Sequence, residues 1–174
     1  MDIKSVALRG IKTFRGMDGH GLNATLVVND KAVAFILDEG CGGETMMQPV
    51  AGGPTRRDLQ EIEVALTAYA RTRIPDEKLD WDCPRCSGAA DCKDCDGTGK
   101  FMSRTDWRTL VNEMVDAQEN ERRLRRLCKT KTLFILPTAK RGEFWTLNKP
   151  YSPDTRAYLL NKYGPETEIV NERF

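Results

Sequence analysis

A chain of 174 residues suffices for one domain, or for one domain with a small appendage. Its 27 basic side chains face 26 acidic ones, a balance that excludes a protein coating nucleic acid through global positive charge but leaves room for a local basic patch. No apolar run reaches the roughly 18–20 residues that span a bilayer, and Met1-Asp2-Ile3-Lys4 does not begin a secretory signal. A reducing cytosol is therefore expected, where six cysteines read as metal ligands or free thiols and not as disulfides.

In chain order, residues 3–8 read as a short strand, followed by the glycine-rich stretch Arg15-Gly16-Met17-Asp18-Gly19-His20-Gly21. Two apolar runs, Ala24 to Val28 and Ala32 to Leu37, flank Asn29-Asp30-Lys31. Their β-branched content and the short Asn-Asp turn predict an antiparallel hairpin, closed by a second glycine-rich loop, Gly40-Cys41-Gly42-Gly43. Pro54 and Thr55 announce a helix. Thr55 and Asp58 have capping-box spacing, and Leu59, Ile62, Leu66 and Tyr69 recur at the spacing of one helix face. Acids early (Asp58, Glu61, Glu63) and Arg71 and Arg73 late suit the helix dipole, and Pro75 ends the element.

The cysteine cluster occupies 83–99. A long helix of about 25 residues is expected after it, opened by Ser103 with Asp106 three residues on, with an apolar face of Trp107, Leu110, Val111, Met114, Leu124 and Leu127. Lys131 to Leu136 and Glu143 to Leu147 read as two strands around Pro137 and Gly142. Ser152-Pro153-Asp154 starts a helix with proline at its favoured first position. That helix runs to Tyr163, where Gly164-Pro165 stops it, and a short strand follows over Glu168 to Val170.

The most informative segment is Cys83-Pro84-Arg85-Cys86-Ser87-Gly88-Ala89-Ala90-Asp91-Cys92-Lys93-Asp94-Cys95-Asp96-Gly97-Thr98-Gly99. Two residues between paired cysteines let both thiolates turn onto one ion, and two such pairs complete the closed tetrahedral shell of structural zinc. Gly88 and Gly97 follow each pair by two residues and free the backbone for tight turns. Four thiolates around a divalent ion leave a negative site, and Arg85, Lys93 and Lys100 lie near enough in sequence to soften it. Structural zinc contributes on the order of 10–16 kcal/mol of apparent binding free energy in small modules. A strip this polar has little else to hold it. One structural Zn2+ on Cys83, Cys86, Cys92 and Cys95 is therefore the expected cofactor. Four free thiols and an iron–sulfur cluster are the alternatives. The short link between the pairs also raises recruitment of Cys41 or Cys128, or of a second subunit.

This segment resembles the cysteine-rich zinc repeat of DnaJ-type chaperones, whose unit is a cysteine pair followed by alternating glycines. Cys92 to Gly99 matches that unit fully, while the first repeat has Ala90 in place of its last glycine. The resemblance implies zinc binding. It does not imply chaperone activity, because the chain has no His-Pro-Asp signature and two repeats where that family has four. The phrases Phe14-Arg15-Gly16-Met17-Asp18-Gly19 with Asn23-Ala24-Thr25-Leu26, and Lys131-Thr132-Leu133-Phe134 with Asn148-Lys149-Pro150-Tyr151-Ser152, are similar in style to small accessory proteins encoded by bacteriophages.

Arg122, Arg123, Arg125, Arg126, Lys129 and Lys131 crowd one acid, Glu121, and Lys140 and Arg141 extend the run. They read either as a phosphate-contacting or acidic-partner surface, or as a solvated helix end that complements the dipole. The Gly16–Gly21 loop lacks the Gly-Lys-Ser/Thr and the helix start of a phosphate loop, so its glycines read as conformational. His20 as a base, Cys41 as a nucleophile, and Asp38, Glu39 and Glu44 as a metal site are the enzymatic alternatives. Trp81, Trp107, Phe144 and Trp145 read as core or zinc-flanking residues, with Trp145 able to face outward.

The expected fold is α+β: a small N-terminal antiparallel sheet (1–50), a helix and linker (51–80), a four-cysteine zinc knuckle (81–100), and a long helix with a C-terminal β-hairpin–helix–strand unit (101–174), together one compact protein. The knuckle is expected to set the orientation between the two main helices. The expected function is non-enzymatic: a zinc-containing interaction protein, encoded by a phage, that modulates a host macromolecular complex such as a defence system. The alternative is nucleic-acid binding through the basic 122–131 patch. Neither involves a membrane.

Overall fold

The computed structural model describes residues 2–83, 92–93, 95, 98, 100–140 and 142–174, with the backbone alone at 78–82, 101 and 102. The fold is broadly α+β. Strands β1 (Val6–Arg15), β2 (His20–Val28), β3 (Lys31–Asp38) and β4 (Met46–Pro49) form an antiparallel meander in that order. Helix α1 (Arg56–Arg71) follows, then the antiparallel pair β5 (Glu77–Asp82) and β6 (Lys100–Ser103), then helix α2 (Trp107–Leu127). The remainder is β7 (Thr132–Ile135), β8 (Trp145–Leu147), helix α3 (Pro153–Tyr163), β9 (Glu168–Ile169) and a last 3-10 turn, Val170–Arg173. The chain separates into two compact units, Met1–Val115 and Asp116–Phe174.

In the first unit, period-two alternation along β2 sends Leu22, Ala24, Leu26 and Val28 to one face. There they join Val33, Ala34 and Ile36 and meet Leu59, Ile62 and Leu66 of α1 with Trp107, Val111 and Val115 of α2. Leu26, Ile36 and Leu66 are fully buried, each contributing about 1.5–3 kcal/mol of transfer free energy. The β2–β3 turn is the predicted Asn-Asp turn, with Asn29 and Asp30 both at positive φ (48° and 66°), as a tight hairpin of matching twist requires. Asn29 also fastens the N-terminal segment: its carboxamide oxygen accepts from the amides of Lys4 (2.8 Å) and Ser5 (3.1 Å).

Helix α1 has the capping box that the sequence predicts. Asp58 N–H donates to the Thr55 hydroxyl at 3.3 Å, and Thr55 N–H donates back to the Asp58 carboxylate at 2.8 Å. Helix α2 begins later than the Ser103 expectation. Ser103 ends β6, opposite Glu77, and Asp106 is the cap, its Oδ1 accepting from the amides of Arg108 (2.8 Å) and Thr109 (3.0 Å). Three further strands went unforeseen: β4, β5 and β6. The first strand is also displaced, running to Arg15, so the glycine-rich stretch is the turn of a hairpin, with Gly16 N–H donating to Gly19 O at 2.8 Å.

The second unit packs Phe134, Leu159 and Ile169 as its core under the three-stranded order β8-β7-β9. Asn171 ties it together: its oxygen accepts from Leu133 N–H (2.7 Å), and its amide donates to the carbonyls of Lys131 (2.9 Å) and Cys128 (3.2 Å), beyond the end of α2. Ser152 caps α3 with proline at the first turn, as the sequence predicts.

Candidate metal centre

Cys83 follows β5 directly, and Lys100, opposite Asp82, begins β6. The hairpin formed by these two strands therefore presents the cysteine loop. Cys83, Cys92 and Cys95 come together there, their sulfurs all within 4.8 Å of one another. Among the described residues they are the one group of three His, Cys, Asp or Glu side chains close enough to share an ion. Cys86 lies outside the described residues.

The sulfur geometry identifies what this cluster can do. Cys83 Sγ and Cys92 Sγ are 3.8 Å apart, far beyond the roughly 2.05 Å of a disulfide, and none of the three cysteines is in a disulfide. Sulfurs placed tetrahedrally at about 2.3 Å from a central ion stand about 3.8 Å from each other. The observed spacing fits two ligands of one metal as well as a thiol–thiol contact, so the group is able to hold an ion. Cys95 is fully buried and Cys83 is 5 % exposed, whereas Cys92 is half-buried.

Polar contacts fix the loop and its stem. Thr98 N–H and the Thr98 hydroxyl both donate to the Cys95 carbonyl, at 2.9 and 2.6 Å. Arg104 donates to the Lys93 carbonyl at 2.7 Å and lies 3.7 Å from Asp76. At the base of the hairpin, Thr105 N–H donates to Asp76 (2.7 Å), and Arg71 of α1 donates to the Thr105 carbonyl (3.0 Å). Trp107 N–H donates to the Thr67 hydroxyl at 3.3 Å. Helix α1 and the first turns of α2 therefore share hydrogen bonds as well as a core.

The other residues singled out in the sequence occupy ordinary structural positions. Asp38 accepts from Gly40 N–H and from the Thr45 hydroxyl, both at 2.9 Å. Glu44 pairs with Arg108 at 3.0 Å, and Glu39 and His20 are exposed, His20 opposite Arg15 at a hairpin end. The glycines of this corner are required by close approach: a Cβ on Gly16 would stand 2.3 Å from the Gly40 carbonyl oxygen. Cys41 is exposed, its thiol donating to the Glu39 carbonyl at 3.5 Å, and stands outside the cysteine group. Cys128 belongs to the second unit, and burial pushes its thiol pKa up, against thiolate formation. Trp107 is core and Trp145 is 39 % exposed. Trp81 and Arg141 fall where side chains are not described.

Of the basic run, Arg122, Arg123, Arg125, Arg126 and Lys129 are exposed and Lys131 is half-buried. Arg125 pairs with Glu121 (2.9 Å) and lies over the Phe174 ring (5.2 Å), and Arg123 lies over Phe144 (5.7 Å). Residues 116–174 carry twelve basic and eight acidic side chains, so the near-neutral chain hides a cationic second unit.

Fold and site together define an α+β protein carrying a cysteine cluster able to hold a metal ion. No helix among the described residues is long and apolar enough to cross a membrane. Compared with models of protein families, with curated proteins and with solved structures, the chain matches none.

Proposed function

We propose that the chain is a non-enzymatic binding protein whose cysteine hairpin is shaped by one structural zinc ion, with Cys86 as fourth ligand beside Cys83, Cys92 and Cys95. The observation that carries this is the 3.8 Å sulfur spacing within a group of three thiols, two buried and one half-buried. A borderline-soft ion with tetrahedral preference suits thiolates so arranged, and a full sulfur shell leaves no open position for a reacting water. Bound there, zinc supplies folding free energy to the loop and no chemistry. The partner is a macromolecular complex of the cell in which the protein acts, a host defence system being the setting that the phage-like phrases suggest.

Metal analysis of freshly purified, fully reduced protein tests the centre. About one zinc per chain is expected, falling to background in Cys95→Ser; absence of stoichiometric metal from the parent protein would sink the reading. Affinity capture from host lysate tests the function: a stoichiometric complex released by zinc chelation is expected, and retention unaffected by chelation counts against it.

A second reading, nucleic-acid binding through the basic end of α2, is favoured by the exposure of five cations on that helix end and the turn after it. It predicts affinity that drops steeply with salt and disappears when Arg122, Arg123, Arg125 and Arg126 are changed to Glu.

A further inference from the structure

The four-stranded sheet packs its helices on one face only. The opposite face can be read from the register. On β2 it carries Gly21, Asn23, Thr25 and the buried Val27; opposite these stand Phe14, Lys12, Arg9 and Ala7 on β1, and Leu37, Phe35 and Ala32 on β3. Met46 and Gln48 on β4 complete it, opposite Leu37 and Phe35. Phe35 is 48 %, Met46 44 % and Phe14 38 % exposed. Phe14 lies across Gly21, close enough that a Cβ there would meet its ring, yet both rings stay more than a third exposed and neither joins the core cluster.

From this layout we infer that the outer face of β1–β4 is a binding surface for single-stranded nucleic acid, with Phe14 and Phe35 stacking bases and Arg9 and Lys12 taking phosphates. The inference rests on reading the chain as a binding protein, but uses neither the cysteine cluster nor the basic end of α2. Three features select this occupant. No acid stands among the thirteen positions of the face, and among the described residues neither cation has an acidic partner. The rings provide π-faces, which any base can use, so stacking is tolerant of sequence. Asn23 and Gln48 add exposed amides able to meet base edges, as open sheet faces do in RNA-binding modules. From strand spacing and rise, Phe14 and Phe35 stand about 16 Å apart on the backbone, a path for a few extended nucleotides. A second copy fits poorly, because a two-fold contact would set the same unpaired cations against each other.

The test uses the full, zinc-loaded protein and fluorescein-labelled 12-mers of deoxythymidine and of uridine, followed by anisotropy at about 50 and 200 mM salt. Saturable binding that weakens with salt is expected, and the stronger of the two oligomers tells DNA from RNA. Phe35→Ala should weaken it about tenfold, Phe35→Tyr should restore it, and Arg9→Glu with Lys12→Glu should weaken it at least as much. Arg122→Glu with Arg126→Glu should leave the Phe35 effect unchanged. Circular dichroism of each variant verifies the fold. No saturable binding of either oligomer overturns the proposal, as does equal affinity of Phe35→Ala. So does preference for poly-glutamate over both oligomers, or a dimer that Phe35→Ala dissociates. Zinc content and complex capture are read separately, so failure here leaves the metal-centred reading standing, and the reverse.

Discussion

Strand β2 alone buries Leu22, Ala24, Leu26 and Val28 against two helices, whereas from Cys83 to Gly99 the sequence offers no leucine, isoleucine, valine, methionine or aromatic side chain. Both regions belong to one compact unit. The sheet is held by burial spread over many side chains, so its stability is distributed and no single contact decides it. The hairpin loop has little apolar to bury beyond its sulfurs, of which those of Cys83 and Cys95 belong to buried residues and that of Cys92 to a half-buried one. On the reading proposed above, its stability is concentrated in a metal ion held by those sulfurs. On that reading, some segments of one unit tolerate gradual loss and another is all or none.

The strongest way to break this comparison is to deny the cysteine cluster the zinc ion proposed for it. Chelation, or Cys83→Ser, should strip hydrogen-exchange protection from the β5–β6 hairpin and its loop while amides of β2 and β3 keep theirs. Simultaneous loss in both regions would show that the sheet also leans on the ion. Next in size is a cavity in the distributed core. Leu66→Ala, at a fully buried position, should cost about 2–5 kcal/mol in urea unfolding while zinc content of the native protein stays at its parent value.

A smaller effect is expected at the start of α1. Thr55→Ala removes the cap and should cost about 1 kcal/mol in the same urea unfolding. Hydrogen bonds from the Thr55 hydroxyl and amide hold the Asp58 carboxyl below its ordinary pKa, and in the second unit the Tyr151 hydroxyl and then Arg156 do the same for Glu172. A carboxyl with a lowered folded-state pKa stabilises above its unfolded pKa, and that contribution is lost as pH falls through the folded value. Denaturant titrations on the acid limb should therefore show a shallower decline for Asp58→Asn and Glu172→Gln than for the parent. The least effect is expected at Arg125. Its ion pair with Glu121 is more than half exposed on both sides, so Arg125→Ala should shift the urea midpoint by less than about 1 kcal/mol equivalent.

Local patterns made several elements legible in advance. Thr55 and Asp58 spell out a capping box, Asn29-Asp30 a hairpin turn, Ser152-Pro153 a helix start, and the cysteine spacing a metal site, because each depends on residues within a few positions of one another. Strand β4 was missed because Met46-Met47-Gln48-Pro49 carries no alternation of its own and is a strand only by pairing with Ala34 to Leu37. Leu79 and Trp81 alternate with charged residues, but β5 is a strand only through its pairing with β6 across the whole cysteine loop, a partner that no local pattern announces. Ser103 looked like a cap by spacing, but the pairing of β6 with β5 took it into a strand, and Asp106 met the exposed amides instead.

The sequence by itself determined the amphipathic faces, the caps and the presence of a thiol-rich strip too polar to fold by burial. The tertiary structure decided which thiols meet, bringing Cys83 against Cys92 across nine positions of chain, because a hairpin stem sets that distance and ligand spacing along the chain does not. It also decided that the unit boundary falls inside α2, between Val115 and Asp116. A continuous helical period carries no mark of where one core ends and the next begins, since that depends on what packs against each turn.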